Sequence, residues 1–131
     1  MENDLSDALK KDLGRDTFMN WFTETSGLYN DIDHSIAHLT KWAKPLVVDT
    51  PMLIGPGKSK IVYEPLGVIC IMGSWNFPLF TTLGPLIAVI TAGNCAVVKP
   101  SEFCPNTTKK MKSLIARYLD GSAFVCIEGQ V

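Results

Sequence analysis

The sequence predicts an α/β fold in which N-terminal helices precede alternating strands and helices of a parallel sheet. Three observations carry that prediction. Residues 66–98 are a run of 33 without Asp, Glu, Lys, Arg or His, whereas residues 1–60 hold nine acidic and seven basic side chains. Gly73, Asn76, Pro78, Gly84, Pro85, Gly93 and Asn94 divide that run into apolar pieces of strand or helix-face size. Such pieces suit the buried centre of an α/β domain better than a bilayer span, which needs ~20 mainly apolar residues. From residue 66 onward, strand-like and helix-like patterns alternate with short turns between them.

The first helix is predicted from Leu5, Ala8, Leu9 and Leu13, spaced at three and four, and ends at Gly14. A second, longer stripe runs through Phe18, Trp21, Phe22, Leu28, Ile32, Ile36, Leu39 and Trp42. Asp16 or Thr17 is its expected N-cap and Pro45 its stop. Gly27 inside it costs ~1 kcal/mol relative to Ala. So long an apolar stripe needs a larger surface to lie on. Residues 45–60, with Thr50-Pro51 and Gly55-Pro56-Gly57, read as a connecting arm, and residues 59–63 as an extended strand.

Residues 67–72 form a continuous apolar run, expected to be a strand covered on both faces. A helix follows over residues 78–91, with Pro78 at its first position and Pro85 bending it. Residues 95–99 and 123–127 supply two further strands, separated by an amphipathic helix over 107–119 whose lysines face solvent. The order β-α-β-α-β is one half of a doubly wound, Rossmann-like parallel sheet. Right-handed crossovers direct the carboxyl ends of its strands to one edge, where ligands bind. The turn Gly73-Ser74-Trp75-Asn76 and the segment Lys99-Pro100-Ser101-Glu102 are therefore expected to share one crevice.

At 131 residues with 12 Lys plus Arg against 13 Asp plus Glu, the chain is of single-domain size and lacks the basic footprint of a nucleic-acid binder. The acidic start carries no apolar stretch of signal-peptide type. Cys70, Cys95, Cys104 and Cys126 contain no C-x-x-C pair and read as buried reduced thiols, which fits a reducing compartment. His34 and His38 stand four apart on one helix face, but Ser35 occupies the place of the Glu in H-E-x-x-H, and no metal site is expected.

Two segments carry polar chemistry beside apolar elements. Asn76 either caps the following helix, which the local pattern favours, or donates its amide to a developing oxyanion. Lys99 is the first charge after the uncharged run. It either reaches a nucleotide ribose together with Glu102 or is a solvated strand end, with Ser101 or Glu102 capping a turn. The first turn contains no G-x-G-x-x-G, so no pyrophosphate cradle is evident.

Glu64-Pro65-Leu66-Gly67-Val68, Gly73-Ser74-Trp75-Asn76-Phe77-Pro78, Ala92-Gly93-Asn94 and Lys99-Pro100-Ser101-Glu102, in that order, resemble the consecutive motifs of the NAD(P)-dependent aldehyde dehydrogenase superfamily. The N-terminal helices, with Trp42 and Lys44-Pro45, and the Thr50-Pro51 arm are similar to its class 3, fatty-aldehyde branch. The resemblance covers almost the whole chain. It implies residues 1–45 as an N-terminal helical segment, 46–65 as an arm with an oligomerisation strand, and 66–131 as the first half of the NAD(P)-binding domain. It also implies Asn76 as the oxyanion-hole donor and Trp75 beside the nicotinamide. Lys99, Ser101 and Glu102 are implied as cofactor contacts. A Lys in place of a ribose-binding Asp permits a 2′-phosphate, so NAD and NADP are both expected cofactors. A homodimer, a cytoplasmic location, an aldehyde substrate and no membrane span in this chain complete the expectation, membrane association through a C-terminal part remaining open. The nucleophilic Cys and general-base Glu of that family have no counterpart here, so this stretch alone is expected to be inactive. The alternative is a non-catalytic module that binds nucleotide weakly or pairs with a full-length subunit.

Overall fold

The computed structural model describes residues 2–129. Helix α1 (Glu2–Leu13) ends at Gly14, whose φ of +70° is the left-handed geometry that glycine adopts without strain. Asp16 caps α2 (Thr17–Asn20) by accepting the Met19 N–H at 2.8 Å. The chain then passes through a π-helical turn, Trp21–Thr25, into α3 (Ser26–Trp42). The predicted single helix is thus three joined segments, and the wide turn buries Glu24 and Thr25. Gly27 has a packing reason, because a Cβ there would lie 2.9 Å from the Phe80 ring.

The connecting arm contains two short strands. Strand β1 (Leu46–Val48) pairs antiparallel with β2 (Ser59–Ile61), and a 3-10 turn, Met52–Ile54, lies between them. The sequence reading identified β2 and missed β1. Strands β3 (Val68–Met72), β4 (Cys95–Lys99) and β5 (Phe124–Cys126) form a parallel sheet in the order β3-β4-β5. Helices α4 (Phe80–Thr91) and α5 (Pro105–Tyr118) are the crossovers. The predicted α/β architecture is the observed one. Helix α4 begins at Phe80, two residues after Pro78, and α5 begins at Pro105, where proline's fixed φ suits a first turn.

Leu86 and Val89 of α4 and Ile115 of α5 pack with Ile71, Ala96, Val98 and Cys126 of the sheet. Two crossovers that step the same way across a sheet lie on one face, so the other face stays open. This corrects the expectation that residues 67–72 are covered on both sides. Val68, Cys70 and Met72 alternate outward and are exposed, and only Ile71 is fully buried. It also corrects the reading of all four thiols as buried: Cys104 and Cys126 are, Cys95 is half-buried and Cys70 is exposed.

Leu9, Leu28, Leu79 and Met111 form a second core between the N-terminal helices and the outer sides of α4 and α5. The molecule thus layers sheet, crossover helices and N-terminal helices. The α3 stripe stays uncovered beyond Leu28, with Ile36 71% exposed. Among the described residues no helix is long and apolar enough to cross a membrane.

Asp12 fastens α1 to the start of α5. Its Oδ1 accepts the Asn106 backbone N–H at 3.2 Å and side-chain amide at 2.7 Å. Its Oδ2 accepts the Thr107 N–H and hydroxyl, both at 2.7 Å. Burial is the largest single influence on this carboxyl and raises its pKa, but the bonds from Asn106 and Thr107 together outweigh it and leave the value below the ordinary 3.8. A lowered native pKa favours the ionised form in the folded state. Its contribution is therefore complete above the unfolded value and is lost as pH falls through the native one. Asp12→Ala is expected to destabilise the chain by about 1–2 kcal/mol at neutral pH. In urea titrations the variant should also lose less stability than wild type on acidification.

Candidate functional site

The carboxyl ends of β3 and β4 lie side by side, with Met72 paired to Lys99. The Gly73 N–H donates to the Lys99 carbonyl at 2.9 Å. A Cβ on Gly73 would lie 1.9 Å from the Thr82 hydroxyl and 3.5 Å from the Pro100 Cα, so glycine permits the turn to close on both α4 and the β4 exit. The buried Cys104 thiol donates to the Trp75 carbonyl at 3.3 Å, a second tie between the two segments. Burial, followed by the charges of Asp12 and Glu24, pushes this thiol up to about 11, which favours its neutral form.

Asn76 does not cap α4. Its side-chain Oδ1 accepts the Ser74 hydroxyl at 2.7 Å. Ser74 is itself held by Thr81, whose Oγ1 accepts the Ser74 N–H at 3.0 Å. The first amides of the helix go elsewhere: Glu24 Oε2 accepts the Leu79 N–H at 2.7 Å and the Phe80 N–H at 3.1 Å. Glu24 has no exposed surface, and its Oε1 receives the Arg15 guanidinium at 3.0 Å. Arg15 also donates to the Asn76 backbone carbonyl and lies over the Phe77 ring, 4.8 Å from its centroid. Burial pushes the Glu24 carboxyl above its usual range, while the Phe80 and Leu79 amides and then Arg15 pull it back without cancelling that effect.

Sequence reasoning passed over both Glu24 and Arg15. A signal existed for Glu24, which stands three residues after Trp21 and four before Leu28, on the face a helix buries. Nothing in the local sequence marked Arg15, because its partners are 9 and 61 residues away.

At the β4 exit, Lys99 Nζ meets Glu102 Oε2 at 2.9 Å, both side chains about a quarter exposed. The Glu102 backbone N–H and then the Lys99 ammonium hold this carboxyl below its usual range, so it is an acceptor at neutral pH. Ser101 is buried, and its hydroxyl accepts the Phe103 N–H at 3.3 Å, the turn-capping role weighed from the sequence. A cavity of about 280 Å³ opens here, lined by Ser101, Glu102, Thr108, Lys109 and Glu128 among others. Trp75 and Asn76 line no part of it. They stand exposed on the neighbouring turn, so the two predicted segments are joined through the backbone and do not enclose a single pocket.

An ammonium beside a carboxylate at a cavity rim suits a vicinal diol, with a donor and an acceptor for its hydroxyls. The helix N-termini offer less to a phosphate, because Glu24 and Asp12 already occupy them. His34 and His38 stack with ring centroids 4.2 Å apart and join Trp42 on an exposed face. No group of three or more metal-ligating side chains exists among the described residues.

The sequence model described as the aldehyde dehydrogenase family matches residues 2–130. Aldehyde dehydrogenase family 3 comG of Dictyostelium discoideum is 39% identical over 123 residues, covering 94% of this chain and 26% of that protein. Aldehyde dehydrogenase family 3 member H1 of Arabidopsis thaliana is 36% identical over 130 residues, covering 99% of this chain and 27% of that protein. The substrate-bound state of Staphylococcus aureus AldH superposes with a TM-score of 0.95 at 37% identity, over 98% of this chain and 28% of that one. At the level of fold alone, succinic semialdehyde dehydrogenase from Streptococcus pyogenes, in complex with NADP+ as the cofactor, aligns with a TM-score of 0.71 at 18% identity, over 95% of this chain and 27% of that one. The chain thus spans about a quarter of the length of these relatives.

Gly73→Ala is expected to destabilise the chain by about 1–3 kcal/mol, since the added methyl meets a buried helix side chain and the β4 exit. A lowered urea midpoint with an unchanged slope would be the signature of that clash.

Proposed function

The chain belongs to the aldehyde dehydrogenase family, and we propose that it supplies the oxyanion donor and the ribose contacts of an NAD(P)-dependent enzyme that oxidises aldehydes to carboxylic acids. One observation carries the reading: the Asn76 amide oxygen is engaged by Ser74 while its NH₂ makes no hydrogen bond to the described residues. An amide fixed in that sense presents a donor outward from the carboxyl edge of the sheet. Such a preorganised donor stabilises negative charge developing on a carbonyl oxygen under nucleophilic attack.

At the second half of the site, Lys99 donates to and Glu102 accepts from the adenosine ribose, and the cavity beside them takes the adenosine end. The bound nicotinamide supplies the hydride acceptor. On this reading Trp75, exposed next to Asn76, covers that ring. Lys99 leaves room for a 2′-phosphate, so either NAD or NADP is used. The attacking thiol and the base come from residues outside this segment: Cys104 is pushed up to about 11, Cys126 is buried and raised, and Cys70 and Cys95 lie within sheet strands.

On this reading residues 1–45 brace the site, residues 46–65 carry a hairpin for a homodimer contact, and residues 66–131 form the cofactor half-site. The exposed hairpin residues Leu46, Val47 and Ile61 favour that contact. The same exposure supports the second reading, a non-catalytic module that pairs with a full-length subunit. In an active enzyme carrying this segment, Asn76→Ala should lower kcat by about 10²–10³ with the cofactor KM little changed. Unchanged turnover would remove the oxyanion role. Lys99→Ala should raise the cofactor KM about tenfold, the loss of one charge-assisted contact at a partly exposed site, while kcat stays close to wild type. Steady-state kinetics with either nucleotide separates the two effects, and an effect of Lys99→Ala confined to kcat would count against the ribose assignment.

A further inference from the structure

We propose that Arg15 and Glu24 are positioning residues for the Asn76 amide, locking the turn that presents it to the N-terminal helices. The inference rests on the reading of Asn76 as the oxyanion donor.

The turn between β3 and α4 is exposed from Ser74 to Phe77; Thr81 holds Ser74 and Cys104 holds the Trp75 carbonyl, and the Asn76 carbonyl is held by Arg15. Arg15 and Glu24 grip it at Asn76 and on the helix side of that residue. Before the helix, Arg15 donates to the Asn76 carbonyl and stacks over Phe77. At the helix start, Glu24 takes the Leu79 and Phe80 amides. The Arg15–Glu24 ion pair at 3.0 Å makes these two grips one unit. Neither residue belongs to the sheet or its crossovers. Arg15 lies between α1 and α2, and Glu24 lies in the π-helical turn, the kind of irregularity often found where a helix serves a functional site.

A pair of plain structural value would contribute only stability. This one ends on the backbone carbonyl of the donor residue itself, so its loss moves the amide. A displacement of about 1 Å in a reacting group costs on the order of 10²-fold in rate. A loosened turn that still samples the productive position costs less, and about tenfold is expected here.

The test uses an active enzyme carrying this segment, with kcat, cofactor KM and amide exchange at residues 76–80 as readouts. Arg15→Met alone leaves the Glu24 charge buried without a partner, so the double variant R15M/E24Q is made beside it. In the double variant the side-chain carbonyl that E24Q retains can still accept the Leu79 and Phe80 amides, and the contact to Asn76 is the one removed. Both variants should lower kcat about tenfold, leave cofactor KM within about twofold, and speed exchange at residues 76–80 about tenfold. R15K should recover most of the turnover, because an ammonium can still donate to the carbonyl. Combining R15M/E24Q with N76A should give no further loss beyond N76A, since positioning a missing amide gains nothing. Wild-type turnover in R15M/E24Q, with N76A impaired, would overturn the inference alone, as would losses that multiply in the triple variant. Wild-type turnover in N76A would overturn the oxyanion reading, and the positioning role would fall with it.

Discussion

The buried carboxylate of Glu24 determines how the rest of the molecule fits together. It has no exposed surface, and its two oxygens hold two backbone amides at the start of α4 and one guanidinium. A charge removed from water is tolerated only when such partners replace the lost hydration. Here the partners come from distant parts of the chain, so satisfying Glu24 fixes the N-terminal helices against the sheet domain. Asp12 repeats the arrangement at α5 with four bonds to Asn106 and Thr107. Two acidic side chains from the N-terminal helices therefore cap both crossover helices, and each sits where the helix dipole favours negative charge. Leu9, Leu28, Leu79 and Met111 seal the apolar surface between them.

This capping has a chemical consequence. In doubly wound sheets a helix N-terminus at the carboxyl edge is the natural seat for a phosphate. At α4 and α5 that seat is taken by the protein's own carboxylates. The absence of a glycine-rich fingerprint in the sequence and the occupation of these two helix ends agree physically. What the edge still offers is side-chain chemistry: the Asn76 amide after β3 and the Lys99–Glu102 pair after β4. Sheet order adds to this. With β3 at one margin and both crossovers on one face, the Asn76 turn sits at an open edge, and Lys99 sits one strand inward.

Much of this was legible from residues alone. The parallel sheet followed from three apolar runs separated by helical stripes, and Gly14, Gly93 and Asn94 marked turns that the structure contains, two of them with positive-φ glycines. The adjacency of the two polar segments was legible too, because right-handed crossovers leave few alternatives. Three things were not. The open sheet face was missed because an apolar run reports burial without saying whether its cover lies within the same stretch of chain. Strand β1 was missed because Leu46–Val48 is short and hidden among prolines and glycines. The Arg15–Glu24 pair was missed because periodicity weighs only apolar positions and gives no weight to a carboxylate within the stripe.

The ambiguity at Asn76 shows why that last omission matters. From local pattern a cap was the better account, since an Asn before a helix satisfies otherwise unpaired amides. Caps, however, compete for the same N–H groups. Once Glu24 takes the Leu79 and Phe80 amides, Asn76 has no role left at the helix start. Its side-chain oxygen accepts the Ser74 hydroxyl instead, and the residue is exposed. A residue 55 positions earlier than Leu79 thus changes what Asn76 can do. The amide becomes a donor with nothing to donate to within the described fold, held in place by bonds to its other atoms. An exposed amide whose oxygen is bonded within the turn leaves its NH₂ to solvent or to a ligand, which is the arrangement the proposed oxyanion role requires.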